Sequence, residues 1–349
     1  MNAGTATIDW LYREQMRVDQ QWSERDSNGF TWWADQNAQR IEVLMRETDA
    51  VRGEAFLIRV RTELLDDLAL DDRTLQGIGA LLMPFASMCG PVYDPATRGL
   101  SLSSIVRVHE GIRGWMAPLI SMAAALQVAE ARIMGPQLEE LTVGRFAISG
   151  HPSNGMRPKP DEMTEIIATV VVPSGQAPSR WSGKEFEQAV KASMMQPPSL
   201  GATYGETGLT VEFPYGEFSS LFQMQADEQH PRYGNGLLVR QSFPVDGQNE
   251  ISGIRLALKL NAEELGQNPA GYGFGSYCYR ENTIHFCTFL PNAVYREGML
   301  TNLYYACAQR ARRMSMQFRH DDWSKLSQRQ APALSAFSRM IQKFSRKRP

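Results

Sequence analysis

The residues best suited to chemistry are Cys278, His285 and Cys287. They fall in a strand-like pair of runs from Ser276 to Phe289, turned at Arg280-Glu281-Asn282-Thr283. A tight hairpin there sets Cys278 opposite His285, with Cys287 two residues further along on the same face. Three soft ligands on one face suit zinc, with a water or a distant side chain as the fourth. A thiol beside an imidazole also suits nucleophilic catalysis. Against both, the chain offers no close CxxC or HxxxH pair, no fourth ligand, no orienting third residue and no oxyanion hole. Free cysteine is ordinarily a small buried hydrophobe, so packing is the favoured reading. A metal- or thiol-dependent enzyme using Cys278, His285 and Cys287 is the alternative.

Other candidates weaken on inspection. Gly271-Tyr272-Gly273-Phe274-Gly275 resembles a phosphate loop, but a strand follows it where a helix N-terminus should meet the phosphate, so turns and close backbone approach explain the glycines better. No cofactor motif remains. His151 and His230 each stand beside a proline in connector-like sequence, where a turn role suffices. Glu63, Asp66, Asp67, Asp71 and Asp72 lead into a helix, whose N-terminus favours carboxylates without any metal. In Ser-Asn-Gly-Phe-Thr-Trp-Trp (27–33), alternation puts Phe30 and Trp32 on one face and Trp33 on the other. Trp32 is expected in the core. Trp33 is expected either to pack internally or to serve as an exposed partner-binding anchor.

The 349 residues are 43% hydrophobic and 21% charged, material for about two domains. Four scattered cysteines do not make a disulfide framework, so a reducing, cytoplasmic setting is expected. The first residues lack a basic run followed by an apolar core, and the longest apolar stretch, around Pro118 to Ala129, falls short of the about 18 residues a membrane span needs. The net charge of −2 is unevenly placed: seven basic and no acidic residues follow Asp322, leaving 29 basic against 38 acidic before it. That balance is not a nucleic-acid binder's. In the tail, Leu334, Phe337, Ile341 and Phe344 repeat at helical spacing with Arg339, Lys343 and Arg346 on another face. This basic amphipathic segment is expected to dock on the protein, or to bind an acidic partner, an anionic membrane or nucleic acid.

Positioning these residues requires a framework, and the chain repeats itself. Trp115, Leu119, Met122, Leu126, Ala129 and Ile133 recur 185 residues later as Leu300, Tyr304, Cys307, Ala311, Met314 and Phe318, both sets at helical spacing. Ahead of each lies a turn-bounded pair of strands, 91–108 and 276–289, in which Tyr93, Ser101 and Ser103 stand for Cys278, His285 and Cys287. Leu75, Ile78 and Leu82 match Ile251, Ile254 and Leu258; the strand 56–59 matches 237–240; Trp33 matches Glu212. The spacing predicts an α+β fold of two tandem α-β-β-β-α-β-β-α units, each an antiparallel sheet with helices. The first spans 1–148, a Pro/Gly-rich connector with a short helix near Asp161 spans 149–181, the second unit spans 182–320, and the basic tail spans 321–349.

This doubled element order resembles the type III secretion chaperone-like fold, including the bacterial YbjN-like proteins. The resemblance covers nearly the whole chain to Phe318 and rests on topology, not on a signature motif. It implies a non-enzymatic module that binds a protein or peptide client, and, with two copies in one chain, a built-in pseudo-dimer. It carries over no catalytic residue.

Overall fold

Alternating runs become strands and 3.6-spaced runs become helices, in the same order twice. The protein, seen in a computed structural model, is described over residues 2–49, 53–83, 87–194 and 199–322. The first unit opens with α1 (Ala3–Trp10), capped by the Asn2 side chain and prolonged by a π-helical turn, Leu11–Gln15. Four strands follow, β1 (Ser23–Arg25), β2 (Gly29–Trp33), β3 (Ala38–Asp49) and β4 (Gly53–Asp66). Then come α2 (Asp72–Leu81), the hairpin β5 (Gly90–Asp94) and β6 (Gly99–Val108), the 29-residue helix α3 (Arg113–Leu141), and β7 (Arg145–Phe146). The connector holds a 3-10 turn (Glu162–Glu165), a π turn (Ile167–Val171) and α4 (Val172–Ser174), and Asp161 caps its start as expected. The second unit repeats the pattern with α5 (Gly183–Met194), β8 (Gly201–Tyr204), β9 (Gly208–Tyr215), β10 (Phe218–His230), β11 (Gly234–Pro244), α6 (Glu250–Gly266), β12 (Ser276–Arg280), β13 (Thr283–Pro291) and α7 (Met299–Phe318).

Both sheets are antiparallel and share one strand order, β1-β2-β3-β4-β6-β5 with β7 on β4, and β8-β9-β10-β11-β13-β12. Each unit therefore has four strands before its middle helix, where the spacing had suggested three. The extra ones, β1 and β8, are three and four residues long, too short to show an alternation.

The acidic run before α2 resolves into a cap: the Asp71 carboxylate accepts from Thr74 N at 2.7 Å. That bond holds the carboxyl below its ordinary range. In the last hairpin of the second unit, Glu281 and Asn282 both adopt positive φ, the two-residue turn that matches strand twist, and Cys278 lies opposite His285 as expected. The corresponding turn in the first unit holds four residues between Asp94 and Gly99. Val92, not Tyr93, is consequently the residue opposite Ser101.

Helix α7 buries the predicted stripe from Leu300 to Met314. Helix α3 departs from its own: Ile133 is 44% exposed, while Glu130, Ala131 and Met134 turn inward. Between Met116 and Val128 this helix is buried nearly all round, as a central core helix is. It is long and apolar enough to cross a membrane by length and composition, yet 67% of its most apolar window is buried inside the protein.

The units interlock about an approximate two-fold relation. The loop before each last hairpin crosses to the other unit's final strand: Ile105 and Gly273 exchange backbone hydrogen bonds of 3.2 and 2.9 Å, and Phe289 N donates to Ser87 O at 3.3 Å. Within each unit a hydroxyl ties the same loop to its own hairpin, Ser104 donating to Met88 O at 2.6 Å and Thr288 donating to Phe274 O. Two apolar clusters, each drawing on both units, fill the space between. The inner edge strands β5 and β12 meet there, where a Cβ on Gly90 would lie 2.8 Å from Gly275 O. This leaves β1 and β8 as the outer edges of the two sheets.

Candidate functional site

The outer edges have the same place in the two sheets and opposite chemistry. Strand β1 reads Ser-Glu-Arg and is followed by Asp26. Arg25 pairs with Asp9, Asp26 pairs with Arg40, and Tyr12 hydrogen-bonds Ser23 at 2.9 Å. Charge on an edge is a common guard against pairing with another chain. Strand β8 reads Gly-Ala-Thr-Tyr, carries no charge, and is flanked by apolar surface: Leu200 is 52% exposed and Tyr204 51%.

The register of β8 shows what it offers. Along an antiparallel strand, residues alternate between bonding to the neighbour and turning their backbone groups outward. Gly205 N bonds Gly208 O at 2.8 Å, which puts Thr203 in the inward set. Ala202 and Tyr204 therefore present N–H and C=O groups away from β9. Helix α5 packs along β8 and backs this edge.

On the outer face of the second sheet, His285 lies between Cys278 on β12 and Ser242 on β11. Its Nδ1 is 2.9 Å from Ser242 Oγ, and the two sulfurs of Cys278 and Cys287 are 4.0 Å apart. Burial first, then Arg240 and Arg280, push the imidazole down to about 4. Among the described residues no group of three or more His, Cys, Asp or Glu is arranged to hold a metal ion. The sequence reading had Cys278, His285 and Cys287 as possible zinc ligands; the structure brings them to one face but not into a three-ligand site.

No family model, curated protein or solved structure matches this chain.

Of the two places expected for Trp33, the structure gives the internal one. It is 6% exposed, and the connector covers it. Its indole N–H donates to Ser149 Oγ at 3.3 Å, and its ring meets His151 edge-on at 5.1 Å. Arg157 clamps this strap, donating to Trp33 O at 3.1 Å and pairing with Asp161 at 2.9 Å and Asp19 at 3.2 Å. The connector thus closes this face over Trp33, whereas the matching Glu212 is exposed. His151 also takes a turn role, its Nδ1 accepting from Ser153 N and Asn154 N, both at 3.2 Å. The glycines of 271–275 serve close approach: a Cβ on Gly271 would lie 2.5 Å from Ala306, and Gly275 has φ +135. The tail residues Phe337, Arg339, Ile341, Lys343, Phe344 and Arg346 lie outside the described residues.

Two buried polar clusters had no forecast. Glu130 on α3 accepts from Tyr233 of the second unit at 2.9 Å and from the Cys89 thiol at 3.1 Å. Burial raises the pKa of all three groups. Glu264 on α6 pairs with Arg310 on α7 at 2.7 Å and accepts from Tyr277 at 2.6 Å, with carboxylate and guanidinium both shielded from solvent. Burial alone would lower the guanidinium's pKa, and the Glu264 carboxylate more than reverses that. Arg310 also lines a small apolar cleft with Trp115, Leu119, Tyr272, Met299 and Leu303. A glutamate one place off a helix's apolar stripe, as in both cases, was the available signal.

Proposed function

We propose that this chain is a non-enzymatic, tandem chaperone-like protein that binds an extended segment of a client polypeptide as an added strand on β8. The single observation that carries this reading is the contrast of outer edges: β1 is charged and clasped, while β8 is uncharged, flanked by exposed Leu200 and Tyr204, and ends its sheet. Strand addition draws affinity from main-chain hydrogen bonds and specificity from alternate side chains. The doubled α+β units and their shared cores are consistent with the pseudo-dimer expected for the secretion chaperone-like and YbjN-like proteins. A cytoplasmic setting goes with this reading, because the four cysteines are free thiols of the kind a reducing compartment maintains.

The test is selection of a display library of short random peptides on the immobilised full chain. Enriched peptides should be uncharged and rich in β-branched or aromatic residues, and Ala202→Pro should weaken them at least about tenfold by deleting one outward N–H and blocking the edge. Arg25→Pro on β1, which likewise deletes an outward N–H, should leave their affinity unchanged, with circular dichroism confirming that both variants fold. Enrichment of peptides indifferent to Ala202→Pro, or of none, rejects strand addition at β8.

A further inference from the structure

Cys278 and Cys287 are partly exposed neighbours on the outer face of the second sheet, one on the edge strand β12 and one on β13. Ser276 stands opposite Cys287 and His285 opposite Cys278, so the two thiols form a diagonal pair with sulfurs in contact at 4.0 Å. Cys89 and Cys307 are buried, at 5% and 3% exposure, and burial first of all pushes both thiols up, that of Cys307 to about 12. The four thiols thus divide into two on partly exposed residues and two on buried ones.

Cys278 and Cys287 are also unequal. A hydrogen bond from Cys287 lowers the Cys278 thiol, and Arg240 and Arg280 add to the effect against the cost of burial. The same hydrogen bond, with burial, raises Cys287. A low thiol attacks and its higher neighbour resolves, the division of labour found in dithiol exchange. Closing a bond requires the sulfurs to approach by about 2 Å. Rotation of the two side chains about χ1 can supply that movement without displacing β12, whose Tyr277 backbone is held by Asn261.

We propose that Cys278 and Cys287 are a redox-active pair that exchanges with low-molecular-weight disulfides of the glutathione type, Cys278 attacking and Cys287 resolving. The Cys278 thiolate attacks one sulfur of the small disulfide, breaking its S–S bond and expelling one thiolate. Cys287 loses its proton to solvent and attacks Cys278 Sγ in the mixed disulfide, forming the intramolecular bond and expelling the second thiolate. The protein pair gives up two electrons, and the small disulfide leaves as two thiols. Excess small thiol runs the sequence backward.

Incubating the full chain with oxidised glutathione and following its intact mass tests the pair. The folded wild type should lose two hydrogens and retain no adduct, with peptide mapping placing the bond between Cys278 and Cys287. Cys287→Ser should instead hold one glutathione on Cys278, and Cys278→Ser should react about tenfold more slowly. A wild type that carries two glutathiones at once, stays unmodified, or crosslinks through Cys89, Cys307 or a second chain overturns the proposal.

Discussion

The last hairpins of the two units occupy the same place in the same strand order and have opposite fates. In the first, Ser101 and Ser103 are at most 2% exposed, and the Ser103 hydroxyl donates to Leu265 O of the second unit at 2.9 Å. In the second, His285 and Cys287 take those positions and remain partly open. Middle-helix length makes the difference. Helix α6 has 17 residues and α2 ten, and the last turns of α6 lie against β5 and β6, with Leu265 and Gly266 reaching Gly90, Ser103 and Val92. Helix α2 ends at Leu81, and among the described residues it makes no comparable cover over β12 and β13. A duplicated fold thus keeps its topology while a difference in one helix opens one face and closes its twin.

That same extension carries Glu264 into the second unit's core, where it meets Arg310. Arg310 lies 185 positions after Ala125, so the first unit has no cation there, and amide and hydroxyl groups link its strands to α3. Gln39 donates to Thr62 Oγ1 at 2.8 Å, Thr62 donates to Gln127 at 3.0 Å, and Gln127 donates to Ser104 at 2.8 Å. Removing one member of the charged cluster should be the largest effect available. Arg310→Met leaves the buried Glu264 carboxylate only Tyr277 and a distant Arg313 at 3.9 Å, and should cost about 3–5 kcal/mol in urea unfolding. Replacing Glu264 with Met as well should recover most of it, since a buried pair often gains little over apolar side chains of similar size. An unchanged midpoint in the single variant would mean that water reaches Glu264 and that the two cores do not differ in kind.

The first-unit counterpart should be milder. Gln127→Leu leaves Thr62 and Ser104 short of a partner inside the sheet and should cost about 1–3 kcal/mol by the same measurement. If Gln127→Leu matches Arg310→Met, charge is not what separates the units.

How much of this could be read from sequence divides along the same line. Periodicity placed the stripe of α7, the strand faces and the duplication, because side-chain direction follows backbone period whatever lies opposite. It did not say what lies opposite. Trp33 and Glu212 share a position and a face, yet the connector covers one and leaves the other in solvent. Ile133 fits the apolar spacing of α3 but faces solvent, because the buried stripe shifts there to Ala131, Met134 and Leu138. Strand β8 was invisible as a strand, because Gly-Ala-Thr-Tyr acquires its meaning only from pairing with β9. The Cys278, His285 and Cys287 hairpin was legible because a two-residue turn fixes its register locally.

The smallest test of the hairpin comparison is a pH dependence. An ordinary histidine titrates near 6.5, and His285 is held down to about 4, by burial and then by Arg240 and Arg280. As pH falls, the unfolded chain takes up this proton near 6.5 while the folded chain refuses it until about 4. The His285 contribution to stability is therefore fully present above 6.5 and is lost across that window, by no more than about 1.4 kcal/mol per pH unit. His285→Ser installs the first unit's residue and should flatten this part of the urea-midpoint profile between about pH 7 and pH 4.5 without changing its upper limb. Parallel profiles for the two proteins would show that the imidazole is solvated in the folded state, and the open hairpin would then differ from the closed one in access alone and not in electrostatics.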